Sequence, residues 1–251
     1  MRIEIDITKS VYENAAYYYD MAKKFRKKAE GAERAIRETE EELQKEEAQF
    51  EKRKAGKPQE KSWYEKFRFC FTHSGKLVIG GRDASQNEEV VARYFEREDL
   101  FFHADVQGGS VVVLKNGREA DESEKEQAAR FAAVYSKAWS AGYGSVDVYC
   151  AEYGSVSKHA HGMSVGKGGF VVKGRREWFK NVELWVLIGR RKETGRVECG
   201  FSDELFERFY RIVPGNTKKE KMAKELAERL GCSLDELLST LPAGDCAVIG
   251  D

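Results

Sequence analysis

The chain has 251 residues, with 43 Lys+Arg against 43 Asp+Glu, so its formal net charge is zero. That balance excludes a uniformly basic nucleic-acid coat and an acidic solubilising tail, and leaves room for a local charged patch. The 41% hydrophobic and 12% aromatic content is enough to bury a core and excludes a disordered chain, while 34% charged residues with only three prolines point to long exposed helices.

No apolar stretch approaches the roughly 20 residues that span a bilayer, and the opening MRIEIDITKS lacks the apolar region of a signal peptide. Cys70, Cys150, Cys199, Cys232 and Cys246 are far apart, odd in number and form no CxxC. They read as reduced, mostly buried thiols of a cytoplasmic protein without a structural zinc. Zero net charge hides a partition. Residues 154–196 hold ten cations against three carboxylates, an excess of seven, whereas 58–153 and 197–251 each carry −4 and 1–57 carries +1. An anionic partner is expected on that basic stretch first.

Residues 8–57 read as one long helix. Thr8, Ala15, Ala22, Ala29, Ile36, Leu43 and Phe50 recur every seven residues, with Val11, Tyr18, Phe25, Ala32 and Thr39 three places later. This heptad seam of small residues lets a second helix approach closely. The remaining faces, including Lys23–Lys28 and Glu40–Glu42, are charged, so the helix needs a partner to bury anything. The bland alternative is a helix lying on its own domain. Apart from the heptads there is no internal repeat.

Pro58 ends the helix and the texture changes. Phe67–Phe71 alternates as a strand and turns through His73–Lys76 into a second strand at Leu77–Ile79. Ala84–Phe95 is expected as a helix, Leu100–Asp105 and Ser110–Lys115 as strands, and Asp121–Ala141 as an amphipathic helix with Ala128, Phe131, Ala132, Tyr135 and Trp139 inward. Further strands are expected at Val146–Ala151, Phe170–Lys173 and Leu184–Ile188. The last part reads as a strand at Tyr210–Val213, a Pro-Gly turn, a helix at Thr217–Leu230 and a short helix at Ser233–Leu241, where Ser233 and Glu236 have the spacing of a capping box. The fold class is therefore α+β: a mixed or antiparallel sheet domain packed with helices, preceded by a coiled-coil helix and followed by a small helical extension. The expected divisions are 1–57, 58–196 and 197–251.

Three motifs stand out. Ile79-Gly80-Gly81-Arg82-Asp83 ends a strand and opens a helix that includes Asn87; Arg82 suits a phosphate and Asp83 an N-cap. Phe102-His103-Ala104-Asp105 runs through Val106–Gly109 to Ser110, with His103 and Asp105 on one side of a strand. Lys158-His159-Ala160-His161 leads through Lys167 to Phe170-Val171-Val172-Lys173-Gly174-Arg175-Arg176, a Gly-rich basic loop feeding a strand.

In their order, WYEKFR, IGGRDASQNE, FFHADVQGGSVVVLKN, VSKHA and GKGGFVVKGRREWF resemble the NFACT RNA-binding (NFACT-R) domain family of ribosome-associated quality control proteins. The NAAYYY helix looks like the second half of that family's coiled-coil middle domain, and IVPGNTKKEKMAKEL with LPAGDC resembles the tail of archaeal members. The resemblance covers nearly the whole chain. It implies binding to the large ribosomal subunit and to tRNA during rescue of stalled ribosomes and C-terminal tailing of the nascent chain. It implies no enzyme activity, because peptide-bond formation there belongs to the ribosome. It also places the chain from the returning coiled-coil helix onward, without the N-terminal NFACT domain. The seam is accordingly expected to pair in trans, with a separately encoded N-terminal half or with a second copy.

The RNA contacts expected from motif and charge are Arg82, Asn87, His103, Lys115, Lys158, His159, Lys167, Lys173, Arg175 and Arg176, with Phe170 and Trp178 as stacking surfaces or, more ordinarily, core. Competing readings are weaker. Gly162-x-x-x-Gly166-Lys167 is one residue short of a phosphate loop and lacks its Ser/Thr. His103, Asp105 and Ser110 could serve an RNA- or nucleotide-modifying enzyme, but no nucleophile elbow is present. His159-x-His161 lacks a third metal ligand, so neither metal nor cofactor is expected. A coiled-coil adaptor, with the α+β part as spacer and Lys23–Lys28 against ribosomal RNA, is the remaining alternative.

Overall fold

The computed structural model describes residues 4–56, 62–160 and 163–249, with side chains for all of these except 38, 40–56, 159, 160, 163 and 164. The side chains of Leu43, Phe50, Glu40–Glu42 and His159, and the whole of Pro58 and His161, thus lie outside what is described. The chain divides into two compact units, 1–61 and 62–251.

The first unit is α1, Val11–Gly56, without interruption. It begins at 11 rather than 8 because Ser10 caps it: its Oγ accepts from the Glu13 N–H at 3.3 Å, and its own N–H donates to Glu13 Oε2 at 2.7 Å. The seam faces solvent, with Phe25 57% and Ile36 59% exposed. Burial within the unit therefore does not hold this helix.

The second unit is built on two antiparallel sheets. Its strands begin with β1 Arg68–Phe71, β2 Leu77–Gly80, β3 Leu100–Ala104, β4 Val112–Leu114 and β5 Ser145–Glu152. A hairpin follows, made of β6 Val156–Ser157, β7 His159–Ala160, β8 Met163–Ser164 and β9 Val171–Val172. Then come β10 Glu177–Glu183, β11 Val186–Arg191, β12 Val197–Gly200, β13 Phe206–Thr217 and β14 Cys246–Ile249. The larger sheet has the order β1-β2-β4-β3-β5-β10 and the smaller one β12-β11-β13-β14. The smaller sheet takes strands from both sides of residue 196, so the segments expected as 58–196 and 197–251 share one layer. The sheets meet where the Cys199 thiol of β12 donates to the Phe69 carbonyl of β1 at 3.1 Å. All five cysteines are unpaired thiols, and four of them are buried.

Each face of the larger sheet carries its own core. Phe102, Val112, Leu114, Val148 and Cys150 point to the side that holds α3, Glu122–Val134, and the smaller sheet with α5, Lys219–Leu230. Phe101, Val113 and Ala151 point to the other side, where Val90, Phe95 and Val172 cover them. That second cover is α2, Ala84–Glu89, which widens into a π-helical turn at Val90–Tyr94. Period-two alternation along β3 and β5 produces this division.

Several expectations change in detail. The helix expected over 121–141 is two. Ser136 Oγ accepts from the Ala138 N–H at 3.2 Å and starts α4, Lys137–Ser140, because a serine offers the backbone a cap in place of the next turn. The Pro214-Gly215 turn is instead a bulge inside β13, opposite Cys246; a Cβ on Gly215 would stand 2.5 Å from that of Ala247. Pro is tolerated in a strand at such a bulge. The strands β10, β12 and β14 were not legible in the sequence. The capping box at Ser233 stands as read and opens α6, Leu234–Thr240.

Candidate nucleic-acid interface

The basic stretch folds as one hairpin and its exit. Val156 pairs with Val172 and Ser157 with Val171; farther out His159 pairs with Ser164 and Ala160 with Met163. The Lys173 N–H donates to the Ser155 carbonyl at 2.8 Å, which extends the ladder by one rung. On the returning arm residues 166–169 form a tight turn closed by the Gly169 N–H on the Gly166 carbonyl at 3.0 Å. Gly168 sits at φ +77°, where a Cβ would lie 2.7 Å from Ala84. The glycines of this loop thus serve a turn pressed against α2.

One carboxylate fastens the hairpin to that helix. Glu88 Oε1 accepts from Lys158 Nζ at 2.7 Å and from the Gly168 N–H at 3.1 Å. The Lys158 ammonium, then the Gly168 N–H, hold the Glu88 carboxyl below its ordinary value. Lys158 is therefore partly neutralised from within the fold.

Lys167, Lys173 and Arg175 stand differently. All three are exposed, and none forms an ion pair among the described residues. Arg176 donates through Nη2 to the Val172 carbonyl at 3.1 Å, with its guanidinium 4.7 Å from the centre of the Tyr149 ring. The hairpin thus brings together five of the ten residues expected from sequence, and the backbone of a sixth, His159.

The other four are occupied elsewhere. The Arg82 guanidinium donates to the carbonyls of Lys66 at 3.3 Å, Phe67 at 3.1 Å and Ser239 at 3.1 Å. Burial pulls its pKa down. Asn87 is buried, its Oδ1 accepting from the Val111 N–H at 3.3 Å. Gly81 lies so close that a Cβ there would meet that oxygen at 2.2 Å. Lys115 places its three protons on Asp99 Oδ2 at 2.6 Å, Glu96 Oε2 at 2.8 Å and the Tyr94 carbonyl at 2.9 Å. His103 lies parallel to Phe101, ring centres 6.4 Å apart, beneath Gly109. Burial pushes its pKa below the ordinary value, and its Nδ1 has no hydrogen-bond partner among the described residues. Ser110 Oγ donates to the Gly81 carbonyl at 2.7 Å, and no hydrogen bond joins it to His103 or Asp105.

Of the surface next to the hairpin exit the sequence offered Arg176 and Trp178, and it did not offer Lys180, Asp147 or Tyr149. Arg176, at the threshold of β10, is followed by Trp178 and Lys180 on one face of that strand, beside Asp147 and Tyr149 of β5. Trp178 is 39% exposed and meets Tyr149 edge-on, ring centres 5.5 Å apart. Lys180 Nζ stands 4.3 Å from the Trp178 ring centre and pairs with Asp147 Oδ2 at 2.7 Å. The alternation Arg-x-Trp-x-Lys was the available signal. Asn181, in the left-handed region at φ +52°, breaks it one residue later.

A sheet unit carrying a basic hairpin matches a known family. Residues 66–174 match the sequence model of the NFACT protein RNA binding domain, and this part of the chain belongs to that family. Over 200 residues the chain is 36% identical to "Archaeal Rqc2 homolog aRqcH" of Methanocaldococcus jannaschii, covering 76% of this chain and 30% of that one. It is 32% identical over 175 residues to the human "Ribosome quality control complex subunit NEMF", covering 66% of this chain and 16% of that protein. The chain thus spans less than a third of either relative. Among solved structures, the C-terminal part of the fibronectin/fibrinogen-binding protein from Streptococcus suis aligns with a TM-score of 0.40 at 23% identity, covering 49% of this chain and 46% of that one. No described helix is long and apolar enough to cross a membrane.

Proposed function

We propose that residues 62–251 form a non-catalytic RNA-binding module acting in ribosome quality control in the cytoplasm. It grips phosphates of tRNA or of large-subunit ribosomal RNA through Lys158, Lys167, Lys173, Arg175 and Arg176. The observation that carries this reading is the group of exposed cations, Lys167, Lys173, Arg175 and Arg176, left without carboxylate partners among the described residues on one hairpin, in a chain whose other charges sum to a net negative. An unpaired ammonium or guanidinium in water is the group that gains when counterions leave a polyanion. The names of the relatives support the pathway. The arm contributes separately: its exposed heptad seam is shaped for a second helix, whether from another part of a longer chain or from a partner.

Titration of tRNA against the purified chain over a salt series tests the reading. Four phosphate contacts give a log–log slope near −3, so affinity falls steeply between about 50 and about 200 mM salt. A flat response overturns it. For the arm, sedimentation at rising concentration reports self-pairing, and a chain that stays monomeric and binds no helical partner overturns that part.

A further inference from the structure

We propose that the outward face of β10 and β5 is a stacking platform for an unpaired base of a single-stranded RNA segment, with Trp178 as its floor and Tyr149 as its wall. The inference rests on the RNA-binding reading above and adds a second kind of contact, to bases rather than phosphates.

Three observations carry it. First, Trp178 is a large apolar side chain left 39% exposed on a strand whose opposite face is packed, Phe179 lying 5.9 Å from Phe102. A tryptophan on a sheet with its neighbour Tyr149 already edge-on offers the flat, rigid surface on which bases of any identity stack. Second, the surroundings are cationic. Lys180 sits 4.3 Å from the Trp178 ring and Arg176 4.7 Å from the Tyr149 ring. Of the carboxylates, Asp147 is matched by Lys180 at 2.7 Å and its pKa is lowered by that contact, while the effect of Asp105 on the Tyr149 hydroxyl is opposed by Arg176 on the same ring. An anionic strand is therefore not repelled at the platform. Third, the platform continues the hairpin. Arg175 precedes Trp178 by three residues, about 10 Å at the rise of a strand. One strand of RNA can thus rest its phosphates on the hairpin exit and turn a base onto the indole.

The same face does not suit a peptide strand. β10 is an edge strand of its sheet, but its register shifts between Phe179 and Val182 around Asn181. A bulge of this kind interrupts the row of backbone groups that strand addition needs. Duplex RNA is disfavoured too, because its bases are stacked on one another and unavailable to the indole.

The test compares two oligonucleotides of equal length, a single-stranded RNA and an abasic strand with the same phosphates, against the full chain, Trp178→Ala and Trp178→Phe. The chain is expected to bind the base-bearing strand about tenfold more tightly than the abasic one. Trp178→Ala brings the two affinities together, Trp178→Phe restores most of the difference, and the salt slope stays the same in all three. Indole fluorescence should be quenched by the base-bearing strand alone, and Trp178→Phe, which keeps Trp63, Trp139 and Trp185, should lose that quenching. Equal affinity for both strands in the unmodified chain, or quenching that survives in Trp178→Phe, overturns the platform and leaves the phosphate reading standing. Failure of the unmodified chain to bind either strand overturns the phosphate reading, and the platform with it.

Discussion

The Gly80–Arg82 corner with Lys115 and the 156–176 hairpin look alike in sequence, since both interleave glycines with cations. In the structure they are opposites. At the corner every cationic donor is spent: Arg82 on three backbone carbonyls, Lys115 on two carboxylates and a carbonyl. On the hairpin Lys167, Lys173 and Arg175 have no such partners among the described residues. The difference teaches that a cation's role is set by the acceptors the fold places around it. A charge enclosed by acceptors stabilises the protein, and one left in water is available to a ligand.

The largest effect expected from breaking this contrast is at Lys115. Asp99 is 1% exposed, so Lys115→Ala leaves a buried carboxylate to the Glu96 and Asn116 N–H groups without its counter-ion and should cost about 3 kcal/mol of stability. Thermal or urea unfolding measures it, and RNA affinity below the transition should not change. If Lys115→Ala weakens RNA binding and leaves stability untouched, the corner belongs to the interface after all. Next in size is the triple change of Lys167, Lys173 and Arg175 to Ala. It should lower RNA affinity about thirtyfold at low salt and make the salt slope shallower by about two. The unfolding midpoint should hold, since exposed cations without ion pairs contribute little to stability.

A buried carboxylate sharpens the same comparison from the acidic side. Glu124 is buried and accepts from Lys76 Nζ at 2.8 Å, Thr72 Oγ1 at 3.1 Å, the Asp121 N–H at 2.9 Å and Ser74 Oγ. Burial raises its pKa, but Lys76, Ser74 and the other donors outweigh that and bring it down from 4.5 to about 2. A carboxylate whose folded pKa is depressed contributes stability in full above its unfolded value and loses it as pH falls through the folded one. Unfolding free energy should therefore decline between about pH 4.5 and about pH 2, with a contribution from Glu124 that Glu124→Gln lacks. Glu124→Gln should also be less stable by about 1–2 kcal/mol at neutral pH. An unchanged acid limb in this variant would mean that the hairpin β1–β2 is not held through Glu124.

How much of this was legible in the sequence follows the same physics. The heptads of α1, the strands β1 to β5 and the capping box at Ser233 are local patterns, and they appear close to where the residues place them. What was hidden depends on partners distant in sequence. β12 reads as polar because Glu198 lies in its middle, yet all four of its residues are buried, with Arg191 3.4 Å from Glu198. β10 is interrupted at Asn181, so its alternation stops too early to be read as a strand. At the site, the excess charge of 154–196 located the hairpin, but nothing local distinguishes Lys115, clamped by residues 94–99, from Lys173. The accompanying acids Glu96 and Asp99 are in the sequence; their convergence on one ammonium comes only from the fold.

The smallest and most discriminating change is at Glu88, the acid that among the described residues forms an ion pair with the hairpin. It neutralises Lys158 and also lowers the field around Lys167. Glu88→Gln removes that charge and keeps an amide oxygen to accept from the Gly168 N–H. If Glu88 acts on RNA only through its charge, the variant should bind about two- to threefold more tightly, the worth of one partly exposed ion pair. The gain should shrink as salt rises, because screening removes the repulsion that the variant relieves. If Glu88 instead matters by holding the Gly166–Gly169 turn against Ala84, Glu88→Gln should bind like the unmodified chain and Glu88→Ala, which has no acceptor for Gly168, should bind more weakly than either. Titrating the three chains with the same RNA at two salt concentrations separates the carboxylate's charge from its hydrogen bond, the distinction by which the hairpin and the corner differ.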